Sequence, residues 1–321
     1  MLRNIALAAV AATITTAGMA SAADLPSKKS IPVLAAAAEP SAVHGFLDFT
    51  YANGMMSGGG KPLYKSGVSL LETTAGLSVD LYSSKTGPIN SFTAFVGGWA
   101  QSWNDAPTGS ARMQEYDWWA GATIGFADYY KLTVQELQFQ IPNAGPKGIK
   151  VVENMTATLS YDDAHLGLPI ALNPYVNVFY NYGGASSMGL GKTGTYRVDL
   201  GIGPSYSFMK SAGVPLTLTV PAQISLGPSD MYYNGQKLCG PNSNQTCSTG
   251  TFQYVMTGLQ AKYDLGQIIP KKFGSWSLKA GVKYFHIMND GIIANQVGGA
   301  TTFPLAKTNY TVFSTGINVS F

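Results

Sequence analysis

The sequence predicts an all-β chain, a transmembrane antiparallel up-and-down β-barrel of about twelve strands, with ten and fourteen as the neighbouring counts. Three observations predict it. From about Val43 onward, apolar and polar side chains alternate with a period of two in segments of roughly 10 to 15 residues. The connections between these segments are short and long in turn, as a spanning barrel requires. The final segment keeps the alternation to the last residue, Phe321, which is aromatic.

The clearest segment is Gly67 to Tyr82. Leu71, Thr73, Ala75, Leu77, Val79 and Leu81 share one face, and Glu72, Thr74, Gly76, Ser78 and Asp80 share the other. A helix cannot sort side chains this way, because its faces recur every three to four residues. Thr195 to Phe208 follows the same rule, with Tyr196, Val198, Leu200 and Ile202 opposed to Arg197, Asp199, Gly201 and Gly203. So does Pro215 to Leu226, with Leu216, Leu218, Val220, Ala222, Ile224 and Leu226 opposed to Thr217, Thr219, Gln223 and Ser225. The other predicted strands are Val43–Ala52, Ile89–Gln101, Glu115–Phe126, Tyr129–Ile141, Val151–Asp162, Leu172–Tyr182, Thr251–Leu265, Ser275–Met288 and Thr308–Phe321. Ile89–Gln101, Tyr129–Ile141 and Thr251–Leu265 lose phase midway, the signature of a bulge.

Gaps such as Ser83–Pro88 and Ala127-Asp128 are short, whereas Asn53–Ser66, Gly227–Gly250 and Asn289–Lys307 are long. An even strand count then puts both termini on the short-turn side. In the last strand Phe313, Thr315, Ile317, Val319 and Phe321 alternate with Ser314, Gly316, Asn318 and Ser320. Here the chain resembles the Gram-negative outer-membrane β-barrel class, porin-like members included. The resemblance rests on the N-terminal segment, the periodicity and this strand, and it points to no subfamily. It implies an outer-membrane location. It also implies that Phe313, Ile317, Val319 and Phe321 serve as the C-terminal signal read by the barrel-insertion machinery. Assembly into a homo-oligomer is a further expectation by analogy with such proteins.

Composition agrees with this reading. Charged residues are 12% of the chain, while it holds 37 Gly, 18 Tyr and 14 Phe, too little charge for an ordinary cytosolic enzyme. After the first two dozen residues no apolar run reaches the ~20 residues of a spanning helix, so hydrophobicity must be carried by alternation. Arg3, the apolar run Ile5 to Ala12 and Ala20-Ser21-Ala22 read as a cleaved signal peptide over residues 1–22, followed by a flexible periplasmic leader at 23–41 and the barrel at 42–321. A formal net charge of +3, with no basic stripe, excludes nucleic acid as a partner. Cys239 and Cys247, set in a polar loop, predict one disulfide, and no histidine lies near enough to suggest a metal. No cofactor motif is present.

The polar faces should line the lumen. Among them Glu72, Glu115, Asp117, Arg197, Asp199, Lys279 and Lys283 are candidates for a constriction in which acids face bases across a narrow pore. The competing reading is that these charges pair with one another and rigidify a small lumen. Tyr51, Trp99, Tyr116, Trp118, Tyr161, Tyr180, Tyr196, Tyr206, Trp276, Tyr284 and Tyr310 are expected in interfacial girdles. The function expected is passive passage of small hydrophilic solutes, with outer-membrane lipid as the surrounding partner. Two alternatives stand beside it: a non-conducting barrel whose loops serve surface adhesion or a structural role, and a lipid-modifying barrel enzyme, for which His286 is the single candidate. Nothing around His286 forms a recognisable motif, so no catalytic residue is assigned.

Overall fold

The computed structural model describes residues 42–56, 62–64, 69–104, 113–141, 150–168, 170–184, 193–209, 214–228, 231, 251–289, 292 and 308–321. The expected signal peptide and leader, and the cysteines Cys239 and Cys247, lie outside them.

Strands β1 (Val43–Ala52), β2 (Gly54–Met56), β3 (Pro62–Tyr64), β4 (Leu70–Ser83), β5 (Ile89–Trp103), β6 (Met113–Phe126), β7 (Tyr130–Ile141) and β8 (Lys150–Tyr161) form the first half. The second half holds β9 (Tyr175–Gly183), β10 (Thr195–Ile202), β11 (Ser205–Ser207), β12 (Leu216–Thr219), β13 (Ala222–Leu226), β14 (Phe252–Asp264), β15 (Ser275–Ile287) and β16 (Asn309–Ser320). Among the described residues these build a closed barrel of twelve antiparallel staves, in which β10 with β11, and β12 with β13, each make one broken stave. The ring closes where β1 pairs with β16, from Phe46 opposite Ser320 to Ala52 opposite Ser314. At its lower edge Gly45 and Phe321 exchange both backbone hydrogen bonds, at 2.7 and 2.9 Å. The small hairpin β2–β3 stands apart from the barrel sheet and falls in a stretch expected to be loop.

Two predicted strands are broken. Thr195–Phe208 is interrupted at Gly203-Pro204 and Pro215–Leu226 at Val220-Pro221, at the same level of adjacent staves, since Ile202 pairs with Ala222 and Ser205 with Thr219. Proline has no N–H to give to a ladder. The Val220 N–H still reaches the Pro204 carbonyl at 2.9 Å, so the chains bend there without separating.

In two of the three out-of-phase segments register shifts occur, but at the strand ends and not midway where the phase is lost. Those of β5 lie at Ile89/Ser91 and Gln101/Ser102, and on β14 Gln253 is the extra residue opposite Ser225/Leu226. In β7 the expected bulge is absent. Its pairing with both neighbours is unbroken, and the phase is lost because its polar and apolar faces change places at Gln135. Below that point Leu132 and Val134 face out and Thr133 and Gln135 face in; above it Leu137 and Phe139 are buried inside and Glu136, Gln138 and Gln140 face out.

Elsewhere the alternation sorts the two faces as expected. Leu77 and Leu81 are 49% and 58% exposed on the outer wall, whereas Asp48 is 5% exposed inside. Tyr51, Trp118, Tyr180, Tyr196 and Tyr284 are exposed toward the end that carries the long connections, here the loop end. Tyr82, Tyr129 and Tyr130 are exposed toward the end that carries both termini, here the turn end. Trp99 and Tyr310, expected in these girdles, instead turn inward against apolar clusters. At the turn end the chain reverses through Ala127 and Asp128, both at positive φ (48° and 66°), and Asn90 holds Asp128 by two hydrogen bonds.

Inward glycines set how large the inner rings can be. A Cβ on Gly76 would enter the Phe46 ring, and one on Gly97 would overlap both the Trp119 ring and the Ala75 carbonyl oxygen. Each ring therefore lies flat on bare backbone of the neighbouring stave. Gly97→Leu is expected to destabilise the barrel by about 1–3 kcal/mol through overpacking, read as a lowered urea midpoint in vesicles against a Gly98→Ala control, whose site has ordinary contact distances.

Candidate functional site: the barrel interior

All seven candidate residues sit on inward positions, but they fall into separate neighbourhoods. Arg197 reaches Asp199, two residues along its own strand, through Nε to Oδ1 at 2.9 Å and Nη2 to Oδ2 at 3.1 Å. Asp199 also accepts from Ser225 at 2.5 Å and Asn177 at 3.1 Å, so three staves converge on one carboxylate. The guanidinium lies over the rings of Phe179 and Tyr254, at 4.9 and 5.8 Å from their centroids. A planar cation with a bidentate acid and two aromatic faces is a wall fixture, held by packing as much as by charge.

Glu115 accepts a hydrogen bond from Gln101 at 2.8 Å, and Gln101 in turn accepts one from Trp103 at 3.1 Å. Asp117 lies beside Glu115, two residues along on the same inward face. Both acids are buried near the loop end of β6.

The third neighbourhood is the most open. Lys279 of β15 crosses the inward face of β16 to Asp48 of β1 at 2.6 Å and is itself 29% exposed. Asn318 of β16 donates to the second Asp48 oxygen at 3.3 Å. Lys283, two inward positions above Lys279, and Glu72 of β4 lie within electrostatic reach of each other. The expectation that bases on the eleventh stave face acids from across the barrel is corrected here for Lys283. With β16 and β1 the only staves between β15 and β4, it belongs to the same wall as Glu72.

The sequence reading missed how apolar the rest of the interior is. Trp119, Leu137, Phe139, Val152 and Phe179 form a buried cluster inside β6 to β9, joined by Phe46, Phe95 and Trp99. Toward the loop end Tyr254, Phe285, Ile287 and Tyr310 of the staves gather Met56, Met231 and Ile292. Ala52, Met55, Leu70 and Trp103 make a third group. The signal that could have revealed the first cluster was the inverted alternation of Tyr130–Ile141, which puts Leu137 and Phe139 in phase with the polar face.

The interior is thus divided along its length. One side, inside β5 to β9, is packed with rings and aliphatic side chains. The other, from β14 through β16 and β1 to β4, carries Asp48, Glu72, Lys279 and Lys283 beside its loop-end apolar groups, and Lys279 keeps 29% of its side chain exposed. Burying an unpaired charge costs several kcal/mol, so this side is the one where water can remain.

On the outside of β15, His286 Nδ1 lies 2.8 Å from Asn309 Oδ1, which also accepts from the Tyr284 hydroxyl at 2.7 Å. Among the described residues no serine, threonine or cysteine is hydrogen-bonded to His286, so the geometry offers no nucleophile beside it.

No family model matches the chain, and no curated protein matches it in sequence. Similar solved structures include the NanC porin, 10% identical over 85% of this chain and 98% of that chain, with a TM-score of 0.41. Outer membrane phospholipase A from Escherichia coli is 11% identical over 86% and 92%, at 0.38. An outer membrane channel from Pseudomonas putida F1 is 11% identical over 91% and 100%, at 0.39. All three are outer-membrane β-barrels.

Proposed function

We propose that the chain spans the outer membrane of a Gram-negative cell and acts as a narrow, porin-like channel for passive diffusion of small hydrophilic solutes. A wall apolar outside and closed on itself suits lipid, where unsatisfied backbone groups are too costly to leave at an edge. The observation that carries the channel reading is the charged side of the interior, where Lys279 keeps 29% of its side chain exposed beside Asp48, Glu72 and Lys283 on one wall. On this reading those four groups set the selectivity. Arg197, Asp199, Glu115 and Asp117 shape the wall against which a solute passes. The last strand, with Phe313, Ile317, Val319 and Phe321, would carry the signal for the insertion machinery.

The non-conducting alternative draws on one specific observation, the gathering of Met56, Met231 and Ile292 over inward aromatic side chains at the loop end. Planar-bilayer recordings on the purified full chain separate the two. Discrete conductance steps are expected, and their consistent absence at high protein density, with vesicles impermeable to small sugars, would favour the silent barrel.

Within the channel reading, Lys279→Gln with Lys283→Gln should shift the reversal potential in a KCl gradient toward cation preference, by on the order of two-fold or more in permeability ratio. Trp119→Ala, which empties part of the packed side, should raise unit conductance without moving that ratio. Asp199→Ala leaves the buried Arg197 without its bidentate partner and should cost about 3–5 kcal/mol of stability, seen in urea unfolding rather than in selectivity.

A further inference from the structure

The interior is open at one end and shut at the other. At the loop end the last described inward side chain of every stave is buried, from Ala52 of β1 and Leu70 of β4 round to Ile287 of β15 and Tyr310 of β16. At the turn end inward side chains stay open: those of His44 and Asp80 are 47% and 46% exposed, and Lys262 of β14 is exposed as well. The barrel therefore encloses a vestibule that faces the termini and stops short of the loop end. The shut layer lies directly over the charged wall. Phe285 and Ile287 are the next two inward positions above Lys283, Leu70 is the next above Glu72, and Ala52 is the second above Asp48.

Three side chains from beyond the stave ends complete the layer. Met56, Met231 and Ile292 are 8%, 0% and 1% exposed, in one cluster with Tyr254, Phe285, Ile287 and Tyr310. They are tethered to the rim. Gln253, the extra residue on β14, donates its amide to the Gly227 and Pro228 carbonyls at 3.2 and 3.3 Å, and its backbone carbonyl accepts from the Met288 and Asn289 N–H groups at 2.9 and 3.2 Å. The Met231 N–H then reaches the Pro228 carbonyl at 3.0 Å, and the Ile292 N–H the Asn289 carbonyl at 3.1 Å. One bulge thus positions two of the three, and Met56 ends β2 just past β1. Across the lumen the same level is polar. Asn154 and Asn181, opposite each other in the β8–β9 ladder, are buried, and neither end of either carboxamide has a hydrogen-bond partner in the protein. Keeping such groups dry costs free energy that hydration would return.

We propose that this layer is a hydrophobic gate, in which Met56, Met231 and Ile292, seated on Phe285, Ile287 and Tyr310, close the charged lane at its loop end. An apolar constriction stops ions by staying dry, and it conducts once it wets. Two opposed terms set its balance. The packed thioether and aliphatic groups hold it shut, while the dry amides of Asn154 and Asn181 favour the wetted state, so both states belong to one equilibrium. Methionine suits the moving part, since an unbranched thioether repacks at low cost. This inference rests on the channel reading and adds the regulation of its mouth.

The test uses the purified full chain in planar bilayers. The native chain should open rarely, and Met56→Asn with Met231→Asn should raise the open probability on the order of ten-fold or more, with the cation-to-anion permeability ratio unchanged because the charged wall is untouched. Gln253→Ala, which frees the tether without adding a polar group to the layer, should act in the same direction. Labelling gives a readout independent of current. Gln260 lies opposite Gly281 in the β14–β15 ladder, half-buried on the inner face. In a Cys239→Ser, Cys247→Ser background in oriented vesicles, Gln260→Cys should react with a small charged methanethiosulfonate added at the turn end and not at the loop end. The two asparagine substitutions should admit the reagent from both ends. Equal labelling from both ends without them, or a conducting native chain whose open probability neither variant raises, overturns the gate and leaves the channel reading standing. A chain that stays silent and closed to the reagent at the loop end in every variant overturns both.

Discussion

The structure depends on the closure of β1 against β16. A sheet of this width with two free edges would leave a row of backbone N–H and C=O groups on each, and pairing them with each other is the one way to satisfy both at once. That requirement fixes the register from Phe46 to Ala52 against Ser320 to Ser314. Once the ring is shut, the alternation of side chains decides what fills it and what faces outward. A one-residue slip anywhere would exchange those two sets on that stave.

Inside the ring, size is the second constraint. Twelve staves enclose a space that side chains nearly fill, and the sequence fills it unevenly. Trp119, Phe179 and their neighbours occupy one side, made possible by backbone left bare at Gly76 and Gly97. Asp48, Glu72, Lys279 and Lys283 occupy the other. Arg197 belongs to the first side in spite of its charge, because two rings and a shared carboxylate replace the water it would otherwise need. Lys279 belongs to the second, with a single carboxylate partner and an open flank. The same two residue types that look alike in a list of lumen charges are therefore in different physical states.

Much of this was legible in the sequence. Val43–Ala52 coincides with its predicted bounds, and ten of the twelve staves were found as single strands at nearly their observed ends, because period-two burial leaves a strong trace. The faces of Leu70–Ser83 and Thr195–Ile202 were sorted correctly for the same reason. The breaks at Pro204 and Pro221 were not seen, although both prolines were visible; the alternation on either side kept phase and concealed them. The inward placement of Trp99 and Tyr310 could not be read from residue type, since an aromatic ring suits a girdle and a packed interior equally. The separation of the charges was hidden as well. Alternation says that Arg197 and Lys279 share the inner face, but which acid each one meets depends on the order of staves around the ring and on the hydrogen bonds that claim Asp199 first.

The paired interruptions at Gly203-Pro204 and Val220-Pro221 leave the short hairpin of β11 and β12 below them. β12 is stitched to β14, but β11 has β12 as its one ladder partner. On that flank the cylinder is a complete hoop above the prolines and has a three-residue selvage beneath them. Breathing at the mouth that carries the termini will begin along that margin, where the fewest backbone bonds resist it, while the belt higher up stays shut.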